Sequence, residues 1–212
     1  MRTKTLLLSA AVGVAGLVAA SAQTVYSVNA VGYVNLDLKA GFNMIGNPLD
    51  TGTDNLDDIL PTVPDESTIY FFRNGGWTVS AQYFNGVGWF ADPMPTWPAG
   101  EGAMLQSTAD ATITFVGEVR QGSLSTPIGS GVSLVTSQVP QAGTLDELGV
   151  PGSDTDVAYT WDVNSQGYAA AGEYFAGVGW FADPAPTIGV AEGFIVIAAN
   201  SLSWDRTFSV NN

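Results

Sequence analysis

The residues best suited to catalysis in this sequence are two pairs of carboxylates, Asp92 with Glu101 and Asp183 with Glu192. Two carboxyl groups that flank a scissile bond are the working groups of most glycoside hydrolases. The second pair repeats the first 91 positions later, with the same spacing within the pair. A carboxylate-dependent glycoside hydrolase is therefore one hypothesis. Two intact copies in a short chain are more typical of a structural role.

Each pair begins in a block of aromatic and glycine residues that also occurs twice. The block is YFNGVGWFADPMPT at residues 83–96 and YFAGVGWFADPAPT at residues 174–187, with 12 of 14 positions identical. A flat ring can stack on a sugar ring while a neighbouring carboxylate accepts hydrogen bonds from hydroxyl groups. Two copies would add avidity on a repetitive polymer. The candidate binding residues are Tyr83, Trp89, Asp92, Tyr174, Trp180 and Asp183.

The duplicated block fits two other roles. Its aromatic residues could form the core of each repeat, where a fully buried large side chain contributes about 1.5–3 kcal/mol. Neighbouring residues of a strand point to opposite faces, so Trp89 and Phe90 cannot both enter one core. One ring of each pair is predicted to point outward, where it could contact a second copy of the chain in a fibre or sheet. The β-prone segment 24–28 could add to a neighbour's sheet or pair within its own domain.

The composition excludes several classes of active site. The chain has no histidine and no cysteine, which excludes a Ser-His-Asp triad, a thiolate nucleophile, a disulfide framework and conventional zinc or copper sites. We predict no cofactor. Calcium is the one ion considered, because aspartates crowd two loops. Neither loop has EF-hand spacing, so solvated turn caps are the favoured explanation. These aspartates are Asp50, Asp54, Asp57 and Asp58, and then Asp154 and Asp156.

The N-terminus has the layout of a secretory signal peptide. Arg2 and Lys4 precede an apolar run, and Ala20-Ser21-Ala22 forms a small-residue cleavage site. We predict cleavage after Ala22 and a protein that is secreted or held at the cell surface, extracellular or periplasmic, with no membrane segment after cleavage. The chain has 20 acidic and six basic residues and a net charge of −14. Nucleic acid and anionic lipid are therefore not predicted partners.

The duplication extends well beyond the aromatic block. Residues 56–58 match 145–147 at a separation of 89 positions, and a two-residue insertion in the turn after Trp161 accounts for the change to 91. The segment Val31–Val34 also resembles Val116–Val119. The predicted organisation is a signal peptide (1–22), an N-terminal strand segment (23–30) and two β repeat units (31–116 and 116–212).

Each repeat has the pattern of short strands and tight turns. Residues 68–72 are β-branched and aromatic, and Asn74-Gly75 then predicts a hairpin turn. The final strand of the second unit is predicted at 206–210. The only predicted helices are single turns at 55–60, capped by Thr53 or Asp54, and at 145–148, preceded by Gly143 or Thr144. The predicted fold is all-β, with two duplicated small β-sandwich or barrel-like units in tandem.

Three short motifs add a resemblance. The opening GFNMIGNPL at 41–49 and the closings GEGAMLQ and AEGFIVI resemble secreted, uncharacterised β-rich surface modules of environmental bacteria. The second unit departs from that opening, with Ser137-Gln138-Val139-Pro140 where Asn47-Pro48-Leu49 stands in the first. The resemblance implies a β-rich fold and an extracellular or cell-surface setting, and it implies no activity.

The sequence as a whole favours a non-enzymatic, secreted structural, cell-surface or extracellular-matrix protein that acts by self-association or surface interaction. Its predicted partner is then a second copy of itself. The alternative is a carbohydrate-binding module that uses the duplicated block on an extracellular polysaccharide. The glycoside hydrolase is the third hypothesis.

Overall fold

The computed structural model describes residues 30–210, apart from the side chain of Val79, so the predicted signal peptide and N-terminal strand segment lie outside the described residues. The first half contains β1 (Val31–Leu38), β2 (Gly41–Gly46), α1 (Leu56–Ile59), β3 (Thr68–Arg73), β4 (Gly76–Phe84), β5 (Gly88–Phe90), β6 (Gly102–Ser107) and β7 (Ala111–Glu118). The second half contains β8 (Gly122–Ile128), β9 (Gly131–Thr136), β10 (Val157–Asp162), β11 (Gly167–Phe175), β12 (Gly179–Phe181), β13 (Gly193–Ala198) and β14 (Leu202–Phe208).

The two halves have the same antiparallel topology. The first half forms a five-stranded sheet in the order β2-β6-β3-β4-β5 and a two-stranded sheet, β1-β7. The second half forms the equivalent sheets, β9-β13-β10-β11-β12 and β8-β14. The all-β class and the tandem duplication are thus confirmed. The predicted boundary at residue 116 falls within β7, and the second structural repeat begins with its own strand at Gly122.

Each unit is a sandwich of its larger and smaller sheets around an aromatic core. In unit one, the ring of Trp97 packs between Phe71 of β3 and Phe115 of β7, with ring centroids 5.9 and 6.2 Å away. In unit two, Phe194 of β13 contacts Trp204 of β14 at 5.8 Å. All five side chains are buried. Aromatic contacts between the sheets therefore hold each sandwich together, with edge-to-face geometry that adds to the hydrophobic burial.

The elements differ from the sequence predictions at three places. The helical turn of unit one is capped by Asn55, whose side chain accepts the Asp57 N–H, and not by Thr53 or Asp54. The segment predicted as a helix in unit two is only a turn, in which Thr144 and Glu147 hydrogen-bond to each other's backbone N–H groups. The last strand is Leu202–Phe208, earlier than predicted, because this register places Trp204 in the core.

The units pack against each other through the outer faces of their five-stranded sheets. Met44 and Met104 of unit one meet Leu134 and Ile195 of unit two in a separate buried cluster. Two further contacts join the backbones around this cluster, and each is the counterpart of the other in the duplication. They are the hydrogen bonds from Gly46 N–H to Ala191 O (2.9 Å) and from Thr136 N–H to Gly100 O (3.0 Å). The interface is therefore isologous, like that of a two-fold dimer whose subunits are joined in one chain.

Candidate functional site

The tryptophans of the duplicated block lie in the cores of their units. Trp89 is 4% exposed and Trp180 is 7% exposed. Each indole N–H donates to a backbone carbonyl, Leu60 O at 2.7 Å in unit one and Val150 O at 2.9 Å in unit two. Neither indole face is open to a ligand. The expected stacking of a sugar on these rings therefore has no surface in this structure.

A carboxylate from outside the block fixes each tryptophan backbone. Asp57 of α1 accepts the Trp89 N–H at 2.9 Å, and Asp146 accepts the Trp180 N–H at 3.0 Å. Sequence reasoning missed these two contacts. The signal was present, because the two aspartates occupy matching positions of the duplication. They tie the capping turn of each unit to its strand β5 or β12.

The other predicted residues divide between core and surface. Tyr83 is buried and Tyr174 is half-buried, and each packs edge-to-face on its tryptophan at 5.5 Å between ring centroids. Asp92 and Asp183 are exposed, and each precedes a cis proline. The structure thus brings the tyrosine and tryptophan of each unit together within that unit.

The outward rings of the block are phenylalanines. Phe90 is 64% exposed and Phe181 is 58% exposed, while the tryptophan beside each is buried. This is the alternation predicted for a strand. β5 and β12 are also edge strands, each paired on one side only. Each unit therefore presents one exposed aromatic residue on a short sheet edge.

The glutamates of the two carboxylate pairs have different partners. Both Glu101 carboxylate oxygens accept from the guanidinium of Arg73, at 2.7 and 2.6 Å. This hydrogen bond raises the pKa of Arg73 above its ordinary value. Glu192 instead accepts the backbone N–H of Gly189 at 2.7 Å. The equivalent of Gly189 is Pro98, which has no N–H to offer Glu101.

Four of the aspartates considered for calcium accept hydrogen bonds from residues in turns. Asp50 accepts the Gly52 N–H at 2.8 Å, and Asp58 accepts the Thr53 hydroxyl at 2.8 Å. In unit two, Asp154 accepts the Ala176 N–H and the buried Asp156 accepts the N–H groups of Ser153 and Ala199. No group of three or more acidic residues between 30 and 210 is arranged to hold a metal ion.

The larger concave surface at the junction of the units is a groove between the β3–β4 turn of unit one and strands β8 and β9 of unit two. Its volume is about 660 Å³. A second, more apolar cavity of about 310 Å³ shares Phe72 and Val132 with it, so the two adjoin each other. We call the combined surface the open groove. Its lining includes Phe72, Asn74, Thr96, Ser130, Val132 and Ser133 in the first part and Trp77, Tyr159 and Tyr168 in the second.

The duplication creates a second groove, at the equivalent position on the other side of the interface. It lies between the β10–β11 turn of unit two and strands β1 and β2 of unit one, and its volume is only about 70 Å³. We call it the closed groove. Its lining includes Leu36, Asn43, Met44, Thr160, Trp161 and Val163.

One cause of this asymmetry is a difference in side-chain size. Phe42 and Val132 are the second residues of the equivalent strands β2 and β9. Phe42 packs between Tyr70 and Trp161, with ring centroids 6.0 and 6.2 Å away. The smaller Val132 stands between Phe72 and Tyr159 in the lining of the open groove. A phenylalanine thus fills one cleft, and a valine leaves the other unfilled.

The other cause is the length of the hairpin turns. The β3–β4 turn contains only Asn74 and Gly75, both with positive φ, as the sequence predicts. The β10–β11 turn is two residues longer, which confirms the predicted insertion, and its Gln166 reaches strand β2. The Gln166 side chain accepts the Phe42 N–H at 2.6 Å and donates to Phe42 O at 3.1 Å. The longer turn is therefore fastened over the closed groove.

No protein-family model, no curated protein and no solved structure matches this chain. Within residues 30–210, no helix is long and apolar enough to cross a membrane.

Proposed function

We propose that this chain is a non-enzymatic interaction protein of the cell exterior and that it binds its partner in the open groove. The observation that carries the proposal is the difference in volume between two grooves of common origin, about 660 Å³ against about 70 Å³. Volumes of about 300–1,000 Å³ are typical of ligand sites.

The carboxylates support a binding role over a catalytic one. Glu101 is the acidic residue in the lining of the open groove, and its two oxygens are held by Arg73. A carboxylate whose two oxygens both accept from one guanidinium is occupied by that ion pair and does not face a substrate bond. The sequence-predicted signal peptide supports the exterior location.

The test is a ligand screen by saturation-transfer difference NMR with a panel of neutral oligosaccharides, aromatic amino-acid amides and medium-chain fatty acids. We expect at least one class to give a signal with the wild-type chain and to lose it in Val132→Phe, which places in the open groove the side chain that fills the closed one. A panel with no binder, or binding that survives this substitution, would contradict the proposal.

Self-association is the second candidate, and the exposed phenylalanines favour it. Phe90 and Phe181 lie on edge strands, and each follows an exposed valine of the same turn, Val87 or Val178. Sedimentation velocity should then show oligomers for the wild-type chain and a monomer for the double variant Phe90→Ser, Phe181→Ser. A wild-type monomer at high protein concentration would exclude this candidate.

A further inference from the structure

We infer that the ligand of the open groove is an uncharged carbohydrate chain, an inference that rests on the binding function proposed above. A sugar ring has apolar C–H faces and a rim of hydroxyl groups. A site for it therefore needs flat apolar surfaces and fixed hydrogen-bonding groups next to each other. The two adjoining parts of the open groove differ in this way, since one has an apolar lining and the other a more polar one.

The second, more apolar part of the open groove supplies the rings. The exposed Trp77 packs edge-to-face on Phe72, at 5.3 Å between centroids and 78° between planes. The exposed Tyr168 packs in the same way on Trp161, at 4.9 Å and 85°. Trp77 and Tyr168 follow the first glycine of the equivalent strands β4 and β11, so the duplication supplies one ring from each unit. Because a second ring holds each of them, their faces are oriented before a ligand arrives.

The first part of the open groove supplies hydroxyl groups in fixed positions. The Ser133 hydroxyl accepts the Gly129 N–H at 2.9 Å, and the Ser130 hydroxyl donates to Ala199 O at 3.0 Å. A serine hydroxyl has one hydrogen and two lone pairs, so each of these hydroxyls keeps a position for a further hydrogen bond. Thr96 and Asn74 add exposed polar side chains to the same lining. Such groups can form hydrogen bonds with the hydroxyls of a sugar. An acyl chain in the same place would bury these polar groups without hydrogen-bond partners, which is unfavourable.

The charge of the groove points to a neutral ligand. Arg73 is the one basic residue in the lining of either part, and its guanidinium is occupied by Glu101 and by Thr96 O at 2.6 Å. The chain around the groove has a net charge of −14. An anionic polymer would meet repulsion and no free cation.

The experiment is affinity gel electrophoresis of the full chain, purified after export, in gels that contain xylan, starch, laminarin or hydroxyethyl cellulose, with alginate as the anionic comparison. We expect at least one neutral polysaccharide to retard the wild-type chain and alginate not to. Val132→Phe should abolish the retardation. Trp77→Ala should weaken it about tenfold, as expected for a ring that anchors a ligand.

Tyr33→Ala is the matched control, because Tyr33 of β1 is an exposed ring outside the groove lining and its removal should leave retardation unchanged. If Val132→Phe does not fold, Trp77→Ala against Tyr33→Ala decides the question. Equal retardation of these two variants would overturn the inference, and so would retardation by alginate equal to that by the neutral polymers. If none of the four neutral polymers retards the chain but an amide or a fatty acid binds in the NMR screen, the carbohydrate inference fails and the binding function stands. If nothing binds in either assay, both fail.

Discussion

The two grooves beside the pseudo-two-fold axis arose from the same duplication, but one is open and the other is closed. At the centre of the interface the two units still make equivalent contacts, as in the hydrogen bonds of Gly46 and Thr136. At the rim they have diverged, with Phe42 and Gln166 on one side and Val132 and a shorter turn on the other. The centre must keep both sheets packed, whereas a rim position can change without loss of the fold. After the duplication, the sequences of the two units could therefore diverge at the rim, which is accessible to a ligand.

The largest expected effect tests the equivalence of the two cores. Trp89→Ala and Trp180→Ala should each lower the free energy of unfolding by about 3–5 kcal/mol, because each removes a buried indole together with its hydrogen bond. Chemical denaturation measures the loss.

Phe90→Ala is the control for this comparison. Because the Phe90 ring is exposed, its removal should change the free energy of unfolding by no more than about 0.5 kcal/mol. A tryptophan variant as stable as Phe90→Ala would show that the indole does not support the core of its unit.

The second prediction concerns a substitution that disrupts the symmetric centre of the interface. A side chain at Gly46 would collide with the Thr136 side chain of the other unit, so Gly46→Ala should cost about 1–3 kcal/mol of stability by overpacking. Thermal unfolding should show a lower Tm, and Thr136→Gly in the same chain should restore part of the loss.

The matched control is Gly76→Ala, because Gly76 has open space around its Cα and makes no such contact. Equal stabilities for the two alanine variants would contradict the close approach of the units at the axis.

The third prediction concerns the ion pair at the rim of the open groove, which unit two lacks. Arg73→Gln should lower stability by roughly 1 kcal/mol, a modest loss because the pair is partly exposed to solvent. Glu101 raises the pKa of Arg73, so the pair stabilises the fold below the ordinary pKa of arginine and is lost only as pH rises through the raised pKa.

The loss measured by urea unfolding should therefore be the same at about pH 6 and about pH 9. The comparison variant is Lys39→Gln, whose ion pair with Asp110 is more exposed and should contribute less. A larger loss for Lys39→Gln than for Arg73→Gln would reverse the expected order.

The smallest expected effect lies in the turn that covers the closed groove. Hydrogen bonds from the Ser165 hydroxyl and then from the Asn164 N–H lower the pKa of Asp162. A lowered pKa stabilises the fold above the ordinary pKa of aspartate, and this contribution is lost as pH falls through the lowered value.

Asp162→Asn should thus lower Tm slightly at neutral pH, and the difference from wild type should shrink as pH falls through the lowered pKa of Asp162. Scanning calorimetry at several pH values measures it. A difference that grows on acidification would have the wrong sign for this explanation.

The sequence by itself determined the class of the fold and its repetition. Alternating β-branched and aromatic residues, with Asn74-Gly75 at a turn, specify hairpins because strand period and turn geometry are local properties of the backbone. The lack of histidine and cysteine excluded whole classes of chemistry without any structure. Strand alternation also required one ring of the Trp89-Phe90 pair to face outward.

Only the tertiary structure decided which ring that is and where a ligand could bind. The tryptophans face inward, and Asp57 and Asp146, more than 30 positions earlier, accept their backbone N–H groups. The open groove exists because Phe72 of one unit and Val132 of the other meet across 60 positions of chain. Such long-range contacts depend on how two sheets pack against each other. That packing is determined by the shape of each whole sheet face and not by any local sequence pattern. For this reason the sequence predicted the candidate site on the duplicated block, whereas the open groove lies at the junction of the units, where the repeats differ.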